Sequence, residues 1–596
     1  MFQTFEVSAR PEQGPPRLAS LREAMSSAGL DGFLVPRADA HQGEYVAPRD
    51  ERLAWLTGFT GSAGFCAVLF EKAGVFIDGR YRTQVKAQVA KEFTPVPWPE
   101  VKLADWLKHE LPNGGVVGFD PWLYAVGPLQ AIEDALVGSG IVLQASDNLI
   151  DRIWEDQPDA PNFPARAHPI EFAGEPSIEK RKRLGVALAS SGCAAAVITL
   201  PDSICWLLNI RGADIARNPV VQGFAVLHAD GLVDVFMNAS KLEALREHLG
   251  DEVTQHAPDQ LLSFADALEG DILLDKDTAP VALTRVLGDR AKLGRDPCAM
   301  PKACKNEAEI DGAAAAHIRD GAAVVELLCW LDAQPPGSLR ETQVVSRLEE
   351  LRRRDNALQD ISFETIAGTG PNGAIMHYRV TEETDSTLED GHLIVLDSGG
   401  QYLDGTTDIT RTIAIGDAPV EAAQAFTRVL QGMIAMSKLR WPVGLAGRDI
   451  EAIGRMPLWL AGQDFNHGLG HGVGAYLSVH EGPQRLSRVS HVPLLPGMIL
   501  SNEPGYYREG AFGIRIENLI VAVDAPALPG GDPERDMLCW RTLTFAPIDR
   551  RLIVPDMLST AERDWLNQYH RDVFESIGPS VSEAAQAWLK TATAPI

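Results

Sequence analysis

The segment His467-Gly-Leu-Gly-His471-Gly-Val-Gly constrains this chain more than any other stretch. Its two histidines are four residues apart, the interval that brings two side chains to one face of a helix. Glycine at 468, 470, 472 and 474 forbids that helix, because each interior glycine costs about 1 kcal/mol relative to alanine. Alternate glycines instead let the backbone pass close to another strand or to a ligand. The histidines are therefore expected on an extended segment, with one side of the pleat open to both. An isolated histidine is most often a satisfied, partly buried imidazole; a pair in this setting is a candidate for metal binding or catalysis.

Carboxylates recur around this segment in short, glycine-punctuated, strand-like stretches. HLIVLDSGG and GTTDITRTIAIG read as two strands joined by the turn QYLDG, which sets Asp397 near Asp408. Facing Cβ atoms in such a hairpin lie about 5 Å apart, and carboxylates that close repel unless a cation or a proton joins them. Read alone, two turn aspartates are the commoner explanation. Glu503, in SNEPGYY, is held extended by Pro504. Glu517, in GIRIEN, is expected on a strand that puts Arg515 on its own face and Ile514 and Ile516 on the other. Arg515 is then either an ion-pair partner or a group that fixes a metal-bound carboxylate from behind. Asp397, Asp408, His471, Glu503 and Glu517 make four carboxylates and one imidazole, flanked by His377, His467 and His480. Such a hard, oxygen-rich set suits two divalent cations such as Mn²⁺ better than one tetrahedral zinc. Two such cations would activate a water for hydrolysis.

The chain has 596 residues, and a single core rarely grows past about 250–300, so two or three domains are expected. A net charge of −27 repels phosphate backbones and anionic lipids, which argues against nucleic acid or a membrane surface as the main partner. Seven scattered cysteines without a CxxC read as free thiols, mostly buried, in a reducing compartment. The opening MFQTFEVSARPEQGPP has no apolar signal region, and the longest apolar run, near 322–331, is too short for a span. A soluble cytoplasmic protein is the expectation.

A faint repeat organises the first two thirds. AWLTGFTG at 54–61 matches CWLLNIRG at 205–212, each after a helix-like and a strand-like stretch and before another apolar strand. Two related α/β domains account for it. Pro-rich polar linkers at 156–169 and 294–306 place the domains at 1–158, 159–303 and 304–596. In the last, helices are expected near 306–333, 418–440 and 448–461, and another behind the capping box STAE at 559–562.

These segments resemble the pita-bread metallopeptidases, which include methionine aminopeptidase, prolidase and aminopeptidase P. PNGAIMHY, DGTTDITRT, HGLGHGVG, VHEGP, NEPGYYREGAFGIRIEN, DAHQGEYVAPRD, DGRY and DWLNQYH are similar to the cytosolic three-domain aminopeptidase P form. The resemblance implies an α/β (α+β) fold: two related N-terminal α/β domains, then a pita-bread catalytic domain. It implies release of the first residue from peptides with proline second, by a metal-bridging hydroxide, in a homodimer formed through the C-terminal domain. By the same resemblance, Asp408 and Glu517 bridge two metal ions, most suitably Mn²⁺. Asp397 completes one site, and His471 and Glu503 the other. Glu503 shuttles the proton, and His377 and His480 meet the substrate carbonyl and the oxyanion. His467 lines the proline pocket, Arg515 joins the substrate-binding set, and Arg80 reaches the substrate's far end or merely pairs with Asp78. The readings to exclude are a prolidase, limited to Xaa-Pro dipeptides, and a binding module that keeps the fold without the chemistry.

Overall fold

Residues 54–61 and 205–212 lie in equivalent connections, between the first and second strands of two six-stranded sheets. The first is built from Gly32–Pro36, Phe65–Leu69, Ala73–Ile77, Thr94–Pro97, Gly115–Phe119 and Ile141–Ala145. The second is built from Cys193–Ile198, Phe224–His228, Val233–Phe236, Val253–His256, Asp271–Asp275 and Ala291–Gly294. In both, the spatial order is fourth, third, second, first, fifth, sixth. The antiparallel and parallel pairings also match one for one. Even the local punctuation repeats. Helix Arg52–Thr57 stops at Gly58 and helix Pro201–Leu208 at Asn209, both left-handed, at φ 84° and 49°. Gly and Asn are the residues that tolerate this cap. The expected repeat is therefore a repeat of topology.

The computed structural model describes residues 1–596, which form two compact units. One comprises Ser8–Ile170 and Glu175–Ala299, and so holds both sheets. Within it, the DAHQGEY motif is a joint between them. Asp39 accepts from the His41 and Gly43 amides and from Gln222 of the second sheet's domain, at 2.9, 3.1 and 2.8 Å. The His41 ring is 2.9 Å from the Thr199 carbonyl.

The other unit comprises Met1–Val7, Glu171–Gly174 and Met300–Ile596. Helix Glu307–Asp332 opens on a capping box between Asn306 and Glu309 and stops before Pro335 and Pro336, as its sequence requires. Helices Val420–Ser437, Gly447–Trp459 and Thr560–Ile577 bury Phe426, Met433, Ile450, Leu458, Leu566 and Val573 in one large apolar core. Against these lie two antiparallel sheets. One orders Ile366–Thr369, Leu393–Ser398 and Ile409–Ala414. The other orders Arg440–Pro442, Met537–Thr542, Asn518–Asp524, Ile499–Asn502, Gly470–Gly472 and Glu481–Leu486.

Two local expectations need correction. The strand that carries Asp397 does pair with the one that begins just after Asp408, but Gly400–Tyr402 and Gly405–Thr406 leave them to join Leu358–Ile361 in a separate sheet. A buried Asp320–Arg352 pair holds this excursion: Arg352 donates to the Gly399 carbonyl and Thr407 to Asp320. Second, Glu517 is not on a continuous strand. The chain breaks between Phe512–Arg515 and Asn518–Asp524, and Glu517 sits in the break. All seven cysteines are free, four of them buried. No helix is long and apolar enough to cross a membrane.

Candidate metal centre

The glycines of the 467–474 segment are there for close packing between strands. A Cβ at Gly470 would lie 1.9 Å from the Ser501 carbonyl, and one at Gly472 would lie 2.5 Å from that of Glu481. His471, held between them, is fixed through its amide to Ser501 Oγ at 2.9 Å. Its Nδ1 is 2.9 Å from the Gly472 carbonyl, which accepts from Nδ1–H and leaves the Nε2 lone pair pointing outward. That lone pair faces Asp408 Oδ2 and Glu503 Oε1, each 3.5 Å away.

Strand register brings the acids to the same place. Asn502 pairs with Asn518 at the end of its ladder, so Glu503 and Glu517 flank that pair as neighbours. Asp397 faces Thr410, not Asp408, which is its diagonal neighbour. Thr410 then acts as a hub: its hydroxyl donates to Glu517 Oε2 at 2.7 Å and its carbonyl accepts the Glu517 amide at 3.1 Å. Ligand atoms of Asp408, His471 and Glu517 all lie within 4.8 Å of one another.

This cluster is short of positive charge. Burial first, and then Asp397 and Glu503, push the Asp408 carboxyl well above its usual range. Burial first, and then Asp408 and Asp397, do the same to Glu517. Glu503 is pushed up to about 7, by burial and then by Glu517, with His471 opposing. Asp397 Oδ1 and Asp408 Oδ1 are buried with no donor. A buried carboxylate oxygen without a donor is costly. Oxygens without donors, crowded carboxylates and one outward imidazole lone pair fit divalent cations and little else.

Arg515 is 3 % exposed, and its Nη2 and Nη1 donate to Asp397 at 2.5 Å and to Tyr507 Oη at 2.6 Å. It is an ion-pair partner of Asp397, and both terminal nitrogens are engaged, one by Asp397 and one by Tyr507. Burial works against its charge, but Tyr507, Asp397 and Glu503 outweigh burial and hold it protonated. Tyr507 also meets His467 Nε2 at 2.9 Å, which ties His467 to the same group. The His480 ring packs edge-on against His471, with centroids 4.3 Å apart. Beside it, Glu481 is buried between Lys302, at 2.7 Å, and Lys305. His377 is half-buried in the turn after Gly370–Ala374, a segment that packs on the Phe512–Arg515 strand. Arg80, in the other unit, pairs with Asp78 at 2.7 Å, the ion pair its sequence allowed.

Sequence reasoning did not single out Tyr507, Ser501 or the hub role of Thr410. In Asp408-Ile409-Thr410, alternation puts Thr410 on the face of Asp408, and that is the available signal. Tyr507 had none: it became visible only when the Gly505–Arg508 and Phe512–Arg515 strands paired.

Four family profiles match this chain in succession. Creatinase/Prolidase N-terminal domain matches residues 17–153 and, in a second form, residues 156–309. Metallopeptidase family M24 matches 311–524, and the C-terminal region of peptidase M24 matches 536–596. A probable Xaa-Pro aminopeptidase P from Coccidioides posadasii is 38% identical over 99% of this chain and 95% of its own. One from Talaromyces marneffei is 38% identical over 97% of this chain and 92% of its own. The crystal structure of an X-prolyl aminopeptidase from Caenorhabditis elegans, described as a cytosolic enzyme with a di-nuclear active site, superposes with a TM-score of 0.93. It is 32% identical, over 98% of this chain and 100% of the other. With the repeated N-terminal sheets, the carboxylate-rich centre and likeness along its whole length, the chain belongs to metallopeptidase family M24, in the three-domain Xaa-Pro aminopeptidase P form.

Proposed function

We propose that this protein is an Xaa-Pro aminopeptidase that removes the first residue from peptides with proline in second place. The observation that carries the reading is the convergence of Asp408, His471 and Glu517 within 4.8 Å, with Glu503 3.5 Å from His471. Asp397, Asp408, His471, Glu503 and Glu517 would hold two divalent ions, with Mn²⁺ favoured by the hard donor set. When bound, such ions supply the Lewis acidity that makes a water nucleophilic near neutral pH.

The remaining steps belong to the protein's own residues. Glu503, 3.5 Å from His471, is placed to take the water's proton and pass it to the departing proline nitrogen. His480, packed on His471, and His377 donate to the carbonyl and to the oxyanion as charge develops. His467, fixed by Tyr507, lines the proline pocket. Arg515 holds Asp397, and Arg80 contacts longer peptides by binding alone. A proline amide has no N–H and a fixed ring, so a pocket shaped for the ring makes proline a requirement.

The domain division we favour is 1–158, 159–303 and 304–596, and the location cytoplasmic. Homodimerisation is supported by Met456, Trp459, Leu460 and Val489, exposed together around the end of one helix of the catalytic unit. Leu460→Glu should then yield monomers in light scattering. The deciding assay compares Xaa-Pro dipeptides with tripeptides and longer peptides, with and without Mn²⁺. Single-residue release from the longer peptides, lost on chelation, is expected. Cleavage of dipeptides alone would make the protein a prolidase.

A further inference from the structure

One buried guanidinium joins the C-terminal helix to the candidate metal centre. Arg411 follows Thr410 on the Ile409–Ala414 strand, so its side chain leaves the sheet on the opposite face. It is 2 % exposed, and no carboxylate is among its hydrogen-bond acceptors. All its donors go to neutral acceptors. Nη1 donates to the carbonyls of Thr410 and Glu517 at 2.7 and 2.6 Å. Nη2 donates to the Ala546 carbonyl, Asn518 Oδ1 and Tyr569 Oη at 2.7, 2.9 and 2.8 Å. Nε donates to the Pro547 and Ala546 carbonyls at 3.1 and 3.3 Å.

Burying a charge with no counter-ion is expensive, and an apolar side chain of like volume often packs as well. The bonds themselves give the reason to keep it. Glu517 sits where the chain leaves one strand and has not entered the next, so no ladder satisfies its backbone. Its amide goes to the Thr410 carbonyl, its carboxylate to the Thr410 hydroxyl and its carbonyl to Arg411. Thr410 and Arg411 together therefore fix three groups of this one residue. The far side of Arg411 is held by residues 546–547 and by Tyr569, on helix Thr560–Ile577.

We infer that Arg411 and Tyr569 are positioning residues for the metal centre: through Tyr569, Arg411 and Glu517, a helix that carries no ligand sets metal affinity. The inference rests on Glu517 being a metal ligand. The pathway is contiguous, and it gives the 536–596 region a role in the chemistry of residues 397–517.

The test is Mn²⁺ titration calorimetry on the full chain after chelator stripping, with thermal unfolding of the stripped protein alongside. Tyr569→Phe removes one hydroxyl and should weaken Mn²⁺ binding about 10-fold, and Arg411→Lys about 10- to 100-fold, the range for groups behind a metal ligand. The stripped Tyr569→Phe protein should melt slightly below the wild type, because Arg411 Nη2 and the Ala546 amide lose an acceptor, and the affinity is read well below that temperature. Its kcat should return at saturating Mn²⁺ with KM unchanged. If Arg411→Lys does not fold, Tyr569→Phe decides alone. Unchanged Mn²⁺ affinity with a lower melting temperature would make both residues merely structural and overturn the inference. Asp408→Asn is the control. If it binds Mn²⁺ as tightly as the wild type, the reading of the site has failed, and this inference with it. If it loses Mn²⁺ while Tyr569→Phe and Arg411→Lys keep it, only the inference falls.

Discussion

Asp320 and Asp408 are both buried in the same unit, and they are treated in opposite ways. Asp320 accepts from Arg352 Nε and Nη2 at 2.5 and 2.9 Å, from Tyr402 at 2.8 Å and from Thr407 at 2.7 Å. Its charge is paired and its oxygens are satisfied. Asp408, next to Thr407, has one oxygen without a donor and the other 3.5 Å from an imidazole lone pair. The same side chain is structural where the fold answers it, and a candidate ligand where the fold leaves it open. Burial alone does not separate the two; the supply of donors does.

Exchanging each acid for its amide should break the comparison in opposite directions. Asp408→Asn should lower kcat/KM by more than about 100-fold, beyond what groups behind a ligand cost, with Mn²⁺ content falling in elemental analysis. Its metal-free form should be more stable than metal-free wild type, because one of several crowded carboxylates is gone. Asp320→Asn leaves Arg352 buried without its partner, and should cost about 3–5 kcal/mol in denaturant unfolding. A stabilising Asp320→Asn, or a destabilising Asp408→Asn, would collapse the distinction.

The histidines sharpen it by separating metal holding from chemistry. His480→Ala and His377→Ala should each lower kcat by about 100-fold, the usual cost of one lost oxyanion donor. Metal content should stay at the wild-type level. Loss of metal in either variant would move that histidine into the ligand set. For His480 the contact with His471 makes this a demanding test.

What was legible in the sequence followed from local pattern. Alternate glycines foretold an extended His471, a capping box foretold helix Thr560–Ile577, and a shared motif foretold two related α/β domains. The break at Glu517 was not legible. Ile514, Arg515, Ile516 and Glu517 alternate as a strand should, and only the pairing of Phe512–Arg515 with Gly505–Arg508 draws the first part into a separate ribbon. Nor was the satisfied state of Asp320 legible, since Arg352, Tyr402 and Thr407 come from elements distant in sequence. Pattern reports which residues share a face. It does not report which distant donors reach them.

Metal removal carries the comparison to pH. In the stripped protein Glu503 is pushed up to about 7 from an ordinary 4.5. A proton held more tightly in the folded chain than in the unfolded one stabilises fully below the lower value, and that stability is lost as pH rises through 7. Asp408 and Glu517, raised for the same reason, act in the same direction. His570 and His168, pushed down by burial to about 3 and about 2, act in the opposite direction. Their contribution is present above about 6.5 and lost as pH falls. His570 and His168 lie away from the metal centre and titrate alike with or without metal, so they drop out of the gap in melting temperature between Mn²⁺-loaded and stripped protein. That gap should widen from pH 5 to pH 8. A constant gap would mean that the carboxylates are not crowded as described.

The smallest effect is expected at Arg80, where the structure offers an answered charge again. Its guanidinium pairs with Asp78 at 2.7 Å and leans over the Tyr81 ring at 5.3 Å. Its side chain is still 24 % exposed, so a donor remains within reach of a ligand. If that donor meets the far end of a long peptide, the contact is the same in ground and transition states. Arg80→Ala should then raise KM several-fold for tripeptides and longer, with kcat unchanged. Dipeptides, too short to reach it, should show no change. Asp78→Asn supplies the counter-test, because it frees Arg80 without removing its charge and should leave KM level or lower it. A pair that keeps some solvent contact contributes only about 0–1 kcal/mol to stability, so neither variant should melt much earlier than wild type. Equal KM for all peptide lengths in both variants would reduce Arg80 to the partner of Asp78.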